Sequence, residues 1–268
     1  MRLHYLLLPA FLLSDAANAQ NNRLTPEEKK SGWILLFDGK SMKNWVDPSK
    51  MTPPGNAWDI TPDRCLHTVS KPRITEDLFS ADTYRDFELS FEWKISVAGN
   101  SGLKYRIQDH RILVPGVKGE KFEDRVQRTM TSPRPERSAT GQDYVIGFEY
   151  QITDNDKNSD ALHAGPKHST GALYDMVAPV NSQPKRVGEF NVSRIVVRGT
   201  HVEHWLNGVK VVDSQLDSPD AIAGIKKRWA PAPAVEQLLE NEPKKDCPIS
   251  LQNHGDEAWF RNIKIKRL

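Results

Sequence analysis

The chain has 268 residues, with 37 Lys and Arg against 35 Asp and Glu, a formal net charge of +2 and a hydrophobic fraction of 38 %. A balance this close to neutral creates no field for capturing nucleic acid, and the length suits one large β domain or two small ones. The two cysteines, Cys65 and Cys247, offer no metal-site spacing, so they are expected to be either disulfide-bonded or structurally silent.

Residues 1–19 read as a signal peptide. Arg2 supplies the positive start, Leu3 to Leu13 the short apolar run, and Ala17-Asn18-Ala19 a small-x-small cleavage site ahead of Gln20. That run is too short for a membrane span and no other stretch is long enough, so the expectation is an exported protein, periplasmic or extracellular, without stable membrane insertion. Residues 20–31 look like a flexible lead-in to a single domain over 32–268. GWILLFDGKSMKNW gives a strand and a turn at Asp38-Gly39, 57–69 a hairpin turned at Pro62-Asp63, and Ile74 to Phe79 a short strand.

Phe87 to Ile107 is the clearest stretch. Phe87, Leu89, Phe91, Trp93 and Ile95 alternate with Glu88, Ser90, Glu92 and Lys94; Leu103, Tyr105 and Ile107 alternate with Lys104, Arg106 and Gln108. The period of two predicts two strands with one apolar face each, read as a hairpin through Gly99, Asn100 and Gly102. VIGFEYQI and PISLQNHG repeat the design, with Glu149, Gln151, Gln252 and His254 on the polar side. Four apolar faces can share a core, and four polar faces can share one surface. Solvated polar faces are ordinary in antiparallel sheets, but Glu, Lys, Arg, Gln and His side by side also suit a sugar-binding or acid/base site.

Residues 109–142 form a long basic segment, expected as a partly ordered loop at a rim. Residues 154–170 form a second loop, whose Asp spacing lacks the glycine and closing Glu of a calcium loop. From 187 onward, EFNVSRIVVRG and HVEHWLNGVKVVD predict hairpins turned at Gly199-Thr200 and Asn207-Gly208. Residues 218–247 interrupt with one short helical stretch, AVEQLLEN, and the chain closes on two strands around His254-Gly255-Asp256. A dozen short strands with almost no helix predict an all-β sandwich or jelly roll in one domain, its curved polar face a concave floor. The sequence shows no internal repeat, nucleotide-binding glycine loop or nucleophile elbow.

FDGKSMKNW, DFELSFEWKI, GNSGLKYR, FEYQITD, GALYD, GEFN, VEHWLNGVKV and ISLQNHGDEAWFRNIKI occur in this order. Together they resemble the 3-keto-disaccharide hydrolase domain family over about residues 31–268. The resemblance implies a concanavalin-like β-sandwich, export from a bacterium, and cleavage of glycosides already oxidised at C3; some relatives act as lyases and use a divalent metal. A ketone at C3 acidifies the C2 proton. A base removes it, and the enolate expels the C1 leaving group. That chemistry needs a base near neutral pKa, a cation at the enolate oxygen and an acid for the leaving group. The candidate catalytic residues are Glu149, His254, Arg106, Lys104, His168 and Glu92; Gln151, Asp154, Tyr174 and His204 are candidates for holding hydroxyls, and Trp205 for stacking on the sugar. His204 and Trp205 point to opposite faces of one strand, so only one can reach the floor. The partner expected is a small carbohydrate. The competing class is a non-catalytic carbohydrate-binding module, which would present aromatics and amides in place of charges.

Overall fold

A computed structural model of the chain describes residues 21–47, 56–71, 75–134, 142–240 and 246–268, so the expected leader over 1–19 lies outside the described residues. In chain order the elements are α1 (Pro26–Lys30), β1 (Trp33–Leu35), β2 (Trp45–Val46), β3 (Trp58–Ile60), β4 (Leu66–Thr68), β5 (Leu78–Ser80), β6 (Phe87–Ile95), β7 (Asn100–Ile112), α2 (Phe122–Thr131), β8 (Asp143–Thr153), α3 (Ser159–Ala164), β9 (Asn191–Arg198), β10 (His201–Leu206), β11 (Val209–Gln215), α4 (Pro219–Trp229), α5 (Pro233–Glu240), β12 (Ser250–Leu251) and β13 (Ala258–Arg267). Two antiparallel sheets result. The larger runs β11-β10-β9-β6-β13-β4-β3 with β1 added on β13; the smaller runs β2-β5-β12-β7-β8.

Alternation explains the core. Along β6 every second residue is buried, and Phe87, Leu89, Phe91, Trp93 and Ile95 meet Leu103, Tyr105, Phe148, Tyr150 and Ile152 of the facing sheet. Phe91 packs edge-on against Tyr150 at 5.8 Å and Phe87 against Tyr105 at 6.4 Å between ring centres. The sandwich expected from the strand pattern is therefore present, as are the hairpins β3/β4 and β9/β10/β11.

One expectation is corrected. β6 and β7 are not a hairpin: β6 bonds to β9 and β13, while β7 bonds to β8 and β12. After β6 the chain turns through Ala98, at φ 59°, and crosses to the other sheet. The two apolar faces then meet across the core, and the two polar faces look out on opposite sides of the molecule. Alternation fixes which side of a strand is apolar but says nothing about which sheet the strand joins.

Three other segments differ from expectation. Residues 21–31 are held down. Thr25 and Glu28 close a capping box on α1, and Asn22 exchanges backbone-to-side-chain hydrogen bonds with Asn262 at 2.5 and 2.8 Å. The long basic segment contains α2, and residues 218–240 contain two helices, α4 and α5, where one was expected. Cys65 and Cys247 are buried free thiols, and burial pushes the Cys65 thiol up to about 11. Among the described residues no helix is long and apolar enough to cross a membrane.

Candidate active site

A cleft of about 380 Å³ opens over the smaller sheet, with Lys104, Glu149 and Gln151 on its floor and Asp77, Tyr144, Asp160, Tyr174, Arg228 and Trp229 among its walls. Its size lies within the usual range for small-molecule sites. The floor follows from register. Lys104 on β7 sits opposite Glu149 on β8, and two rungs along, on the same face, Gly102 sits opposite Gln151. The Glu149 side chain lies across Gly102: a Cβ there would stand 2.1 Å from Oε1. Gly102 is thus a strand residue that makes room for a carboxylate, and not a turn residue.

Lys104 is the centre of charge. Its Nζ lies 3.9 Å from Asp77 Oδ2 and 3.8 Å from Glu149 Oε2, and all three side chains are largely buried. Asp77 immediately precedes β5. Its Oδ1 accepts the Asn253 N–H at 3.0 Å, and its own N–H donates to Asp143 Oδ2 at 2.9 Å. Burial is the main influence on its carboxyl; Lys104 opposes it, Asp143 and Glu149 reinforce it, and the pKa rises to about 7. Burial likewise raises the pKa of Glu149 against the pull of Lys104 and Arg228.

The second wall comes from the loop after β8. Residues 171–174 pair along the free edge of β8, with the Tyr174 N–H donating to the Glu149 carbonyl at 3.0 Å, which sets Tyr174 beside Glu149. The Tyr174 hydroxyl donates to Asp160 Oδ2 at 2.9 Å. His168 stands behind this wall, with Nδ1 2.9 Å from Asp160 and Nε2 3.2 Å from Asp175. Burial disfavours the charged ring, but the two carboxylates outweigh it and lift the pKa to about 9. An imidazolium with both nitrogens engaged is a clamp and not a free base. Asp175 also receives Arg228 Nη1 at 2.5 Å. Gly224 lets α4 approach this loop closely, since a Cβ there would meet Met176 Cα at 3.0 Å, and Arg228 follows one turn later.

Of the predicted residues, the structure brings Lys104, Glu149, Gln151, Tyr174 and His254 into the cleft. His254 is at the mouth, its side chain 45 % exposed and 3.9 Å from Asp256. The others are placed elsewhere. Arg106 falls in a bulge where 106–108 face Gly147 alone; at φ 50° its side chain turns away to Asp86, at 2.9 Å, and the Gly199 carbonyl, at 2.7 Å. Glu92 is on the outer face of the larger sheet, bonded to Arg261 and Asn262. Asp154 is buried beneath the turn at Ala98 and accepts its N–H. His204 is a core residue between the Tyr105 hydroxyl and the Gly171 carbonyl, and burial lowers its pKa to about 4. Trp205 is on the outer face, 4.1 Å from the Arg194 guanidinium.

Sequence reasoning missed Asp77, Asp143, Tyr144, Asp160, Arg228 and Trp229. Asp77 carries a weak signal, a carboxylate at the edge of a short apolar strand; Arg228 carries none, since its helix was not anticipated.

The cleft does not fit the divalent metal that the family resemblance raised. Its two converging carboxylates, Asp77 and Glu149, already share an ammonium. Among the described residues, the His, Asp and Glu side chains close enough to share an ion are His201, Glu203 and Asp213, on β10 and β11. There Lys210 already bonds to both acids.

Comparisons with known proteins agree with this architecture. The family model described as 3-keto-alpha-glucoside-1,2-lyase-like domain matches residues 32–266. A 3-keto-disaccharide hydrolase of Bacteroides thetaiotaomicron is 30 % identical over 252 residues, covering 88 % of this chain and 79 % of that one. A solved structure from Parabacteroides distasonis, assigned provisionally to the glycosyl hydrolases, superposes with a TM-score of 0.68 at 26 % identity, covering 93 % of this chain and all of that one. A second from the same organism, assigned in the same way, gives 0.58 at 26 % identity, covering 88 % and 99 %.

Proposed function

Since the chain belongs to the 3-keto-alpha-glucoside-1,2-lyase-like domain family, we propose that it cleaves the glycosidic bond of 3-keto-glycosides by elimination. A carbohydrate-active enzyme of glycoside hydrolase type is the coarse reading; the residues of the cleft supply the finer one. The observation that carries it is the buried ammonium of Lys104, 3.9 Å from Asp77 and 3.8 Å from Glu149 on the cleft floor.

Asp77, with a pKa near 7, is matched to take a carbon-bound proton at neutral pH. Removing the C2 proton moves its bonding pair toward the C3 carbonyl, whose oxygen becomes an enolate. Lys104 stabilises that oxygen through charge already in place and shielded from water. The C1–O bond then breaks, and Glu149, whose carboxyl pKa burial raises, is the group placed to give a proton to the departing oxygen. The product is an enone; adding water across it, oxygen to C1 and hydrogen to C2, completes a net hydrolysis.

The test is to incubate the protein with 3-keto-trehalose and with 3-keto-glucosides, with and without chelator, and to follow the sugar released. Glu149→Gln and Lys104→Met should lower turnover by about two to four decades, the scale of losing an acid, base or oxyanion partner. Binding without cleavage by the wild type would replace this reading with that of a carbohydrate-binding module.

A further inference from the structure

Two acceptors at one end of the cleft have no donor among the described residues: Oε1 of Gln151 and Oε1 of Gln252. Gln151 is 1 % exposed, and its Nε2 donates to Asn100 Oδ1 at 3.3 Å. Gln252 is fixed on the same rung by its N–H, which donates to the Gly102 carbonyl at 2.9 Å. A buried carbonyl left without a donor is unfavourable, and both residues line the cleft. This end therefore suits a ligand that brings O–H donors. The other end has the opposite character. Phe122, Tyr144 and Trp229 form an aromatic wall, with ring centres 5.5 Å and 5.9 Å apart in sequence, backed by Val235 and Leu239. The Lys104–Glu149 pair lies between the two ends, two rungs from Gln151 on the same face.

Resting on the reaction proposed above, we infer that the cleft holds its sugar in one orientation. The ring edge bearing the C4 and C6 hydroxyls donates to Gln151 and Gln252, and the C1 leaving group lies against Phe122 and Tyr144. The chemistry of the substrate selects those hydroxyls. C3 is a ketone and has no donor, C1 carries the leaving group, and the C2 hydroxyl flanks the proton that is removed. C4 and C6 carry the remaining O–H groups. C1 and C4 are opposite corners of the ring, so anchoring C4 at the amide end directs the leaving group to the aromatic end. Glycosides with an aromatic or apolar leaving group are thereby favoured over those with a small polar one.

The test compares 3-keto-glucosides that share one leaving group and differ by a hydroxyl. For the wild type, the 4-deoxy and 6-deoxy analogues should each show kcat/KM about 10- to 100-fold below the parent, because each leaves a buried acceptor unanswered. The penalty for one analogue should vanish in Gln151→Leu and for the other in Gln252→Leu. Phe122→Ala should lower kcat/KM for a phenyl 3-keto-glucoside about 10-fold more than for the methyl one. Deoxy analogues processed as fast as the parent, or penalties unchanged in both glutamine variants, overturn the orientation. Calorimetric binding of the same wild-type series keeps the two readings apart. Binding that discriminates without turnover sinks the reaction and keeps the orientation; equal affinities, or no binding, sink the orientation.

Discussion

Replacing Asp77 with Asn tests the electrostatics of the cleft most directly. The side chain is fully enclosed, and its pKa rises from an ordinary 3.8 to about 7. At about 1.36 kcal/mol for each pH unit, ionising Asp77 in the folded protein costs on the order of 4 kcal/mol more than in the unfolded chain. The sign follows from which state holds the proton. Between pH 3.8 and about 7 the folded state keeps a proton that the unfolded state has lost, so this group makes stability fall as pH rises through that window. Asn removes the charge and keeps an oxygen for the Asn253 N–H. The difference in urea-unfolding free energy, Asp77→Asn minus wild type, should therefore grow by a few kcal/mol in favour of the variant from pH 4 to pH 8. Taking the difference cancels the pH dependence of groups that do not interact with Asp77. Over the same range wild-type kcat/KM should rise with an apparent pKa near 7, and the variant should be slower by about two to four decades with that limb gone. A stability difference that does not change with pH would refute the buried-acid argument. A flat wild-type profile, or an active variant, would remove Asp77 from the reaction.

Gly102→Ala should fold and yet lose most turnover, because its Cβ displaces the Glu149 carboxylate; circular dichroism together with kcat separates the two effects. His168→Ala should destabilise by about 1–3 kcal/mol below pH 6.5 and by less as pH rises through 9, since a raised histidine pKa stabilises the fold only while the ring is protonated; chemical unfolding at pH 6 and pH 10 measures this, and an equal cost at both would show that the clamp is not ionic. Glu92→Gln and Trp205→Ala should leave kcat/KM for a 3-keto-glycoside within about twofold of wild type, their side chains being on the far face; a loss of a decade in either would contradict the assignment of the cleft. Export with cleavage after Ala19 should give a secreted protein whose N-terminal sequence starts at Gln20 or within a residue or two, and a mature form retaining Leu6 to Leu13 would defeat it.

What was legible in the sequence, and what was not, divides along physical lines. Side-chain alternation is local, so the burial of Phe91, Trp93, Phe148 and Tyr150 was readable, as was the shared orientation of Glu149 and Gln151. Pairing between strands is not local. Glu92 and Lys104 read as neighbours on one surface because nothing in either strand reports that the chain changes sheets between them. Arg106 continues the alternation in sequence and leaves it in space, because the bulge opposite Gly147 turns it toward Asp86. His168 was recognised as chemically relevant, but its two carboxylate partners, which turn a base into a clamp, come from α3 and from the loop after β8. Arg228 and Trp229 were hidden in a stretch read as an interruption, where three proline-containing segments masked the 3.6-residue periodicity of α4.

The cleft has a floor and walls of different origin. Lys104, Glu149 and Gln151 belong to paired strands of the sandwich, so moving any of them means re-registering a sheet. Of the aromatic wall, Tyr144 stands on β8, whereas Phe122 and Trp229 come from excursions between strands, α2 after β7 and α4 after β11. Such excursions tolerate insertion, deletion and replacement far better than ladders do. The chemistry of bond cleavage is thus tied to the scaffold, whereas much of the surface that meets the leaving group, Tyr144 apart, sits in exchangeable parts. Grafting a different helical excursion onto the same two sheets is accordingly the economical route to a new aglycone preference, and libraries confined to 113–131 and 219–240 would search that property without touching the proton-transfer machinery.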